Sequence, residues 1–195
     1  MTKHKCVFIH IPKAAGTSIL QTLNGKNTHI QRDHANVQTF IASNKALFEK
    51  SFTFTIVREP TDRVLSIYKY LKNGGNGRGD LKTADLINAK FKNINDFVMH
   101  YMSVDLLSNQ LLFKPQYTFI CDEHYNIKVD FVGRFESLEQ DFAHICKVLN
   151  IHRKLKKVNT SKHTDQDLVL SDESKQKISQ LYNKDFELFS YKKPV

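Results

Sequence analysis

Residues 5–18 read KCVFIHIPKAAGTS, and this stretch decides the fold class. Lys5 to Ile11 is a run of β-branched and aromatic residues, the pattern of a buried strand. Pro12 to Gly16 breaks it, and Thr17 to Leu23 then opens a helix with hydroxyl residues. Strand, small-residue loop, helix is the opening unit of a nucleotide-binding α/β domain. The small side chains of Ala14, Ala15 and Gly16 let the backbone approach a ligand closely. The amides of Ala15 to Ser18 would project from a helix N-terminus, where partial positive charge favours an anion. Lys13 adds a full charge beside them, and Thr17 and Ser18 add hydroxyl donors. In physical terms this is a phosphate cradle.

It is not a Walker A loop, which reads G-x-x-x-x-G-K-[ST]. Here the lysine precedes the glycine by three positions. The next strand, Phe52 to Val57 (FTFTIV), ends in Arg58 and not in a carboxylate that would hold magnesium. The expected site therefore neutralises phosphate with protein cations and without a metal. After Arg58, Pro60 sits where the first turn of a helix accepts proline. Val64, Leu65, Ile67, Tyr68 and Leu71 then recur at helical spacing. The segment Val57 to Tyr68 (VREPTDRVLSIY) thus offers an arginine fork and, two turns into a helix, the hydroxyl of Ser66. That pair suits a terminal phosphate monoester.

Working outward, helices are expected over 93–101, 105–113, 137–149 and 172–189. Strands are expected at Tyr117 to Cys121 and Asp130 to Val132, around a turn at Asp122 to Asn126. Asn73 to Asp80 (NGGNGRGD) holds four of the seven glycines and reads as a flexible surface loop, with a lid over a site as the alternative. Alternating strands and helices predict a mostly parallel sheet covered on both faces, with ligands at the carboxyl ends of its strands. The 195 residues read as one domain, 1–195.

The net charge of +9 favours acidic ligands, whether nucleotide, acidic glycan or nucleic acid. A nucleic-acid module would bring a helix-turn-helix, an aromatic sheet face or a zinc pattern, and the chain reads as having none. Cys6, Cys121 and Cys146 have no metal-ligand spacing and read as buried thiols in a reducing compartment. No run approaches the ~20 apolar residues of a membrane helix. Met1 leads straight into a strand with no signal peptide, so the expectation is a complete, soluble, cytoplasmic chain. A luminal catalytic domain parted from its anchor would read the same way.

IPKAAGTS (11–18) resembles the 5′-phosphosulfate loop of sulfotransferases that use 3′-phosphoadenosine 5′-phosphosulfate (PAPS), and VREPTDRVLSIY resembles their 3′-phosphate motif. The likeness is to the carbohydrate type, the family containing heparan sulfate 2-O-sulfotransferases, chondroitin-type enzymes and small bacterial members. VGRFESL (132–138) with Asp141 and Phe142 is similar to its GRFE-x-L-x-x-D-F stretch. VNTSKH (158–163) resembles its late Asn-x-Ser loop, and LYNKDFELFSY (181–191) its C-terminal helix. The resemblance implies an α/β, P-loop-kinase-like three-layer domain. It implies that Lys13, Ala14, Ala15, Gly16, Thr17 and Ser18 hold the phosphosulfate, and that Arg58 and Ser66 hold the 3′-phosphate. Thr160, Ser161, Lys162 and His163 would lie at the adenosine end.

The reaction so implied is an in-line sulfuryl transfer to a hydroxyl, with a saccharide as the expected acceptor and Lys13 stabilising the charge on the leaving oxygen. A base must take the acceptor's proton, and histidine is the side chain suited to it. Small members of the family carry a Gly-His-x-Thr-like segment between the two phosphate motifs. The matching residues are Asp33, His34, Ala35 and Asn36, which makes His34 the candidate base, with His29 its competitor. Asp33 departs from the glycine and Asn36 from the threonine. His10 falls in the first strand and is expected to pack. Arg32, Lys69, Lys72 and Arg78 are candidates for an acidic glycan path. The rival readings are a nucleotide- or glycan-binding module without turnover and a nucleotide kinase, which would need GK[ST] and a magnesium carboxylate.

Overall fold

A computed structural model describes residues 6–24, 34–155 and 168–194. The chain forms two compact units. The first takes the described residues up to Arg58 and from Gln116 to 155; the second takes Glu59 to Pro115 and 168–194.

The first unit is α/β. Strand β1 (Cys6–Ile9) is buried throughout and leads into helix α1 (Gly16–Asn24). Helix α2 (Val37–Lys50) and strand β2 (Phe52–Val57) follow. After Gln116 come a single helical turn α7 (Tyr117–Ile120), strand β3 (Phe131–Arg134) and helix α8 (Leu138–Val148). The three strands are parallel in the order β1-β2-β3, so β2 is central. Helix α2 packs against β2 and α8 against β3. Ile9, Phe54, Ile56 and Val57 are fully buried, each contributing about 1.5–3 kcal/mol. Register is pinned by polar pairs as well. Thr55 Oγ1 donates to the Ile9 carbonyl at 2.8 Å, and Thr53 donates both its N–H and its hydroxyl to Asp130 Oδ2 at 2.8 Å.

The second unit is helical: α3 (Pro60–Lys72), α4 (Leu81–Lys90), α5 (Ile94–His100), α6 (Val104–Asn109), α9 (Asp172–Leu181) and α10 (Asn183–Leu188). Its core joins Ile67, Leu71, Phe97, Phe113, Ile178 and Phe186. Pro60 stands in the first turn of α3, and Glu59 caps that helix by accepting the Asp62 N–H.

Three expectations are corrected. Tyr117 to Cys121 is a helical turn and not a strand. The Cys121 N–H closes the turn on Tyr117 O at 2.9 Å, a bond to the fourth residue back that an extended strand cannot make. The helix expected over 105–113 ends at Asn109 and resumes as a 3-10 turn, Leu111–Phe113. The helix expected over 172–189 breaks at Tyr182, whose buried hydroxyl donates to the Phe113 carbonyl at 2.8 Å. That tertiary bond outweighs the local helical preference.

Helices α2 and α4 escaped the sequence reading because little of either is buried. Val37 is the buried residue of α2, and Ala84 and Ile87 are those of α4, too few to write a periodic stripe. Helix α2 is also kinked at Asn44 (φ −159°, ψ 78°), whose side chain accepts the Leu47 N–H and so starts its second half.

Candidate active site

Because the three strands are parallel, their carboxyl ends lie along one edge, the usual ligand edge of such a sheet. The β1 end continues into Pro12 to Ala15. Proline fixes φ negative, but Lys13 has φ +66° and Ala15 has φ +62°. Left-handed backbone at a residue with a Cβ costs on the order of 1–3 kcal/mol. Ala14, 1% exposed, is the peg that holds the turn between them. Alternating hand along successive residues gathers backbone N–H groups into a concave anion nest. Helix α1 opens directly after it. Its first-turn amides lack intrahelical acceptors, and its first turn carries no acidic side chain to occupy them. Lys13, Ala15, Thr17 and Ser18 are half-buried, and Gly16 is buried.

Gly16 has a second, internal reason to be glycine. A Cβ built there would overlap Cδ2 and Nε2 of the His10 ring. His10, expected to pack, is indeed buried, and its imidazole covers the start of α1.

The β2 end carries Arg58. Gln116, fully buried, grips its backbone from both sides: the Arg58 N–H donates to Gln116 Oε1 at 2.9 Å, and Gln116 Nε2 donates to Arg58 O at 2.7 Å. The Arg58 guanidinium lies 4.0 Å from the centroid of the Phe135 ring. Its Nη1 donates to the carbonyl of Lys13 at 3.3 Å. The two loops are therefore joined by a hydrogen bond to the strained residue of the first. The cation also lies over the Phe135 ring, a cation–π contact that helps to orient it.

His34 stands just before α2. Its Nδ1 lies 2.9 Å from the carbonyl of His10, and the two imidazole rings are 4.3 Å apart at 43°. Asn36, the departure from threonine, is the N-cap of α2 and accepts the Thr39 N–H at 2.9 Å. Asparagine and threonine both serve as N-caps, so the exchange keeps the local structure.

These features coincide with a sequence family. The model of the sulfotransferase family matches residues 1–192. The chain belongs to that family. It is 25% identical to carbohydrate sulfotransferase 10 of Xenopus laevis over 99% of its own length and 66% of that protein. That alignment extends over 254 positions, more than the 195 residues here, so the frog protein carries inserted segments that this sulfotransferase-family chain lacks. It is also 30% identical to an uncharacterized protein of Archaeoglobus fulgidus, over 60% of this chain and 83% of the other.

The family's GRFE stretch now has a physical role. The Phe135 N–H donates to Val57 O at 2.8 Å, so β3 delivers Phe135 beneath Arg58. Asp141 Oδ2 accepts from the Arg134 N–H at 2.6 Å and from Ser137 Oγ at 2.7 Å, bending the chain into α8. Gly133 leaves room for Ile56, whose Cδ1 would stand 2.6 Å from a Cβ built there.

Ser66 lies half-buried on α3 in the second unit, as do Lys69 and Lys72, and Arg78 is exposed there. Arg63 on the same helix is 1% exposed, and its Nη2 donates to Leu112 O at 3.1 Å, a structural use of charge. His29, Arg32, Asp33 and the Thr160, Ser161, Lys162, His163 segment lie outside the described residues. Gln116, Phe135 and the ring of His10 were missed as site-building residues. Of these only Phe135 had a signal, its place in the GRFE stretch.

All three cysteines are free and buried. Burial pushes the Cys6 thiol, in the strand that feeds the nest, up to about 11, so at neutral pH it is protonated and inert.

Proposed function

We propose that the chain is a sulfotransferase that moves a sulfuryl group from PAPS to a hydroxyl of an acceptor, by in-line transfer and without a metal. The observation that carries this reading is the bond between Arg58 Nη1 and the Lys13 carbonyl, which ties a cationic fork to an anion nest at one sheet edge. Two anion sites built from backbone amides and fixed cations fit a ligand with phosphate at two places. When bound, the donor supplies the sulfuryl group on a phosphate leaving group.

The protein's part is positioning and electrostatics. Lys13, the backbone of Ala14 and Ala15, and the amides and hydroxyls of Gly16 to Ser18 hold the phosphosulfate and stabilise the charge that grows on the bridging oxygen. Arg58 and Ser66 hold the 3′-phosphate. Thr160 to His163 lie at the adenosine end. His34 takes the acceptor's proton. The family match over 1–192 supports reading both units as one functional domain. The name of the frog relative, a carbohydrate sulfotransferase, supports a saccharide acceptor. Three buried free cysteines suit a reducing, cytoplasmic setting.

Thermal unfolding with 3′-phosphoadenosine 5′-phosphate (PAP), against AMP, tests the donor site. A ligand at 100 times its Kd adds about 2.7 kcal/mol. At roughly 2–4 °C per kcal/mol for a chain of this size, the expected shift is several degrees. Equal shifts with AMP, or none at millimolar PAP, would sink the reading. His34→Ala separates an enzyme from a binding module: the enzyme loses sulfuryl transfer and keeps its PAP shift.

A further inference from the structure

We infer that His10 is a positioning residue, which locks His34 in the tautomer that leaves its Nε2 able to accept a proton. The inference rests on the reading of His34 as base. A carbonyl oxygen only accepts hydrogen bonds, so at 2.9 Å from the His10 carbonyl His34 Nδ1 must be the donor. A neutral imidazole carries one N–H, and its lone pair is then on Nε2. A base needs that arrangement, because the opposite tautomer presents an N–H where a proton must be received.

The lock has two parts on one residue. The carbonyl of His10 fixes the proton on Nδ1. The ring of His10, with its centroid 4.3 Å from that of His34, limits how far the His34 ring turns away from that carbonyl. The His10 ring is itself held. It is buried, it stacks on Phe8 at 5.8 Å, and it lies against Gly16 where no Cβ is tolerated. The chain of contact runs from the start of α1, through Gly16 and His10, to His34. One residue type at position 16 thus serves both the anion nest and the base.

The decisive measurement is the tautomer of His34 by nitrogen-15 correlation spectroscopy on the full-length protein without ligand. The resonance is assigned among nine histidines by its absence in His34→Gln. The expected result is a single Nδ1–H form in the wild type, a mixture in His10→Ala, and recovery of the single form in His10→Phe, which restores a flat ring. An Nε2–H form in the wild type, or an unchanged spectrum in His10→Ala, overturns the inference.

Turnover gives a second readout. His10→Ala lowers kcat about 10- to 100-fold, less than the ~10²–10⁴-fold contribution of a base itself, while the KM for PAPS is unchanged. His10→Phe restores most of it. A rise in KM with kcat intact would instead assign His10 to the anion nest and overturn the positioning role. Failure of the sulfotransferase reading is distinct: the wild type would show no PAP shift, while the tautomer measurement would still report on the lock.

Discussion

Among the described residues, two loops place more than one residue in left-handed backbone, and they are built from opposite materials. Pro12 to Ala15 places Lys13 and Ala15 at φ +66° and +62°, residues that pay a steric penalty there. Asn73 to Asp80 places Gly74, Gly75 and Gly77 at φ +84°, +63° and +67°, where glycine meets no such penalty. The glycine-rich loop, which reads as flexible, is tied by its own hydrogen bonds. Gly74 and Gly75 donate to the last carbonyls of α3, Asn76 Oδ1 accepts from the Arg78 and Asp80 amides, and Tyr70 donates its hydroxyl to Asp80 at 2.6 Å. It is a helix stop. The strained loop is the one with charge, amides and a guanidinium gathered around it. In this pair, glycine marks the turn that is easy, and the strained backbone lies at the candidate site.

The contrast can be broken most forcefully at Lys13. Lys13→Ala keeps the left-handed backbone and removes the charge. Sulfuryl transfer should fall by about 10²–10³, the usual loss for one oxyanion-stabilising group. The melting temperature should stay within a degree or two. A large loss of stability would mean that the side chain supports the fold rather than the chemistry.

Arg58→Ala comes next. One charge-assisted hydrogen bond is worth roughly 1.5–3 kcal/mol, so PAP affinity should weaken by about 10- to 100-fold, with AMP unaffected. Isothermal titration with both nucleotides measures the difference. Equal weakening for PAP and AMP would remove Arg58 from the 3′-phosphate.

Paired substitutions sharpen the comparison itself. Gly77→Ala adds a Cβ that meets nothing within 4 Å, so only its φ of +67° matters. The expected loss is about 1–2 kcal/mol with PAP binding unchanged. Ala15→Gly relieves strain in the other loop. It should leave stability equal or raise it by up to about 1 kcal/mol, yet weaken PAP binding because the nest is less fixed. Chemical denaturation with titration reads both. Tighter PAP binding in Ala15→Gly would show that the strain serves nothing.

The smallest expected effect is the pH response of Cys6, in the strand leading to the nest. Its folded pKa, about 11, is raised by burial above the ordinary value of 9.0. The stability linked to it is therefore complete below pH 9 and declines as pH rises toward 11. Cys6→Ala should flatten that part of the stability profile. Native protein at pH 7.5 should resist alkylation at this thiol.

The first strand, the nest helix and the second strand were legible because their apolar runs and punctuation are local. Helices α2 and α4 were not, because most of their residues face solvent and leave no periodic trace. Tyr117 to Cys121 was misread as a strand, since five residues offer too short a window to separate periods of 2 and 3.6. Lys13, Arg58 and the GRFE stretch stood out by residue type and order. Gln116 and the His10 ring did not, because a buried glutamine or histidine gains its meaning from a partner far away in the chain.

The sequence by itself determined the α/β class, the family and the candidate residues, since these rest on local pattern and on motif order. The tertiary structure alone decided that parallel strands bring Lys13, Arg58 and Phe135 to one edge. It alone decided the strain at Lys13 and Ala15, the clamp of Gln116 on Arg58, and the meeting of His10 with His34. Each is a contact between residues 24 to 77 positions apart, or a backbone angle no residue type dictates. Such features exist only once the sheet has fixed the distances.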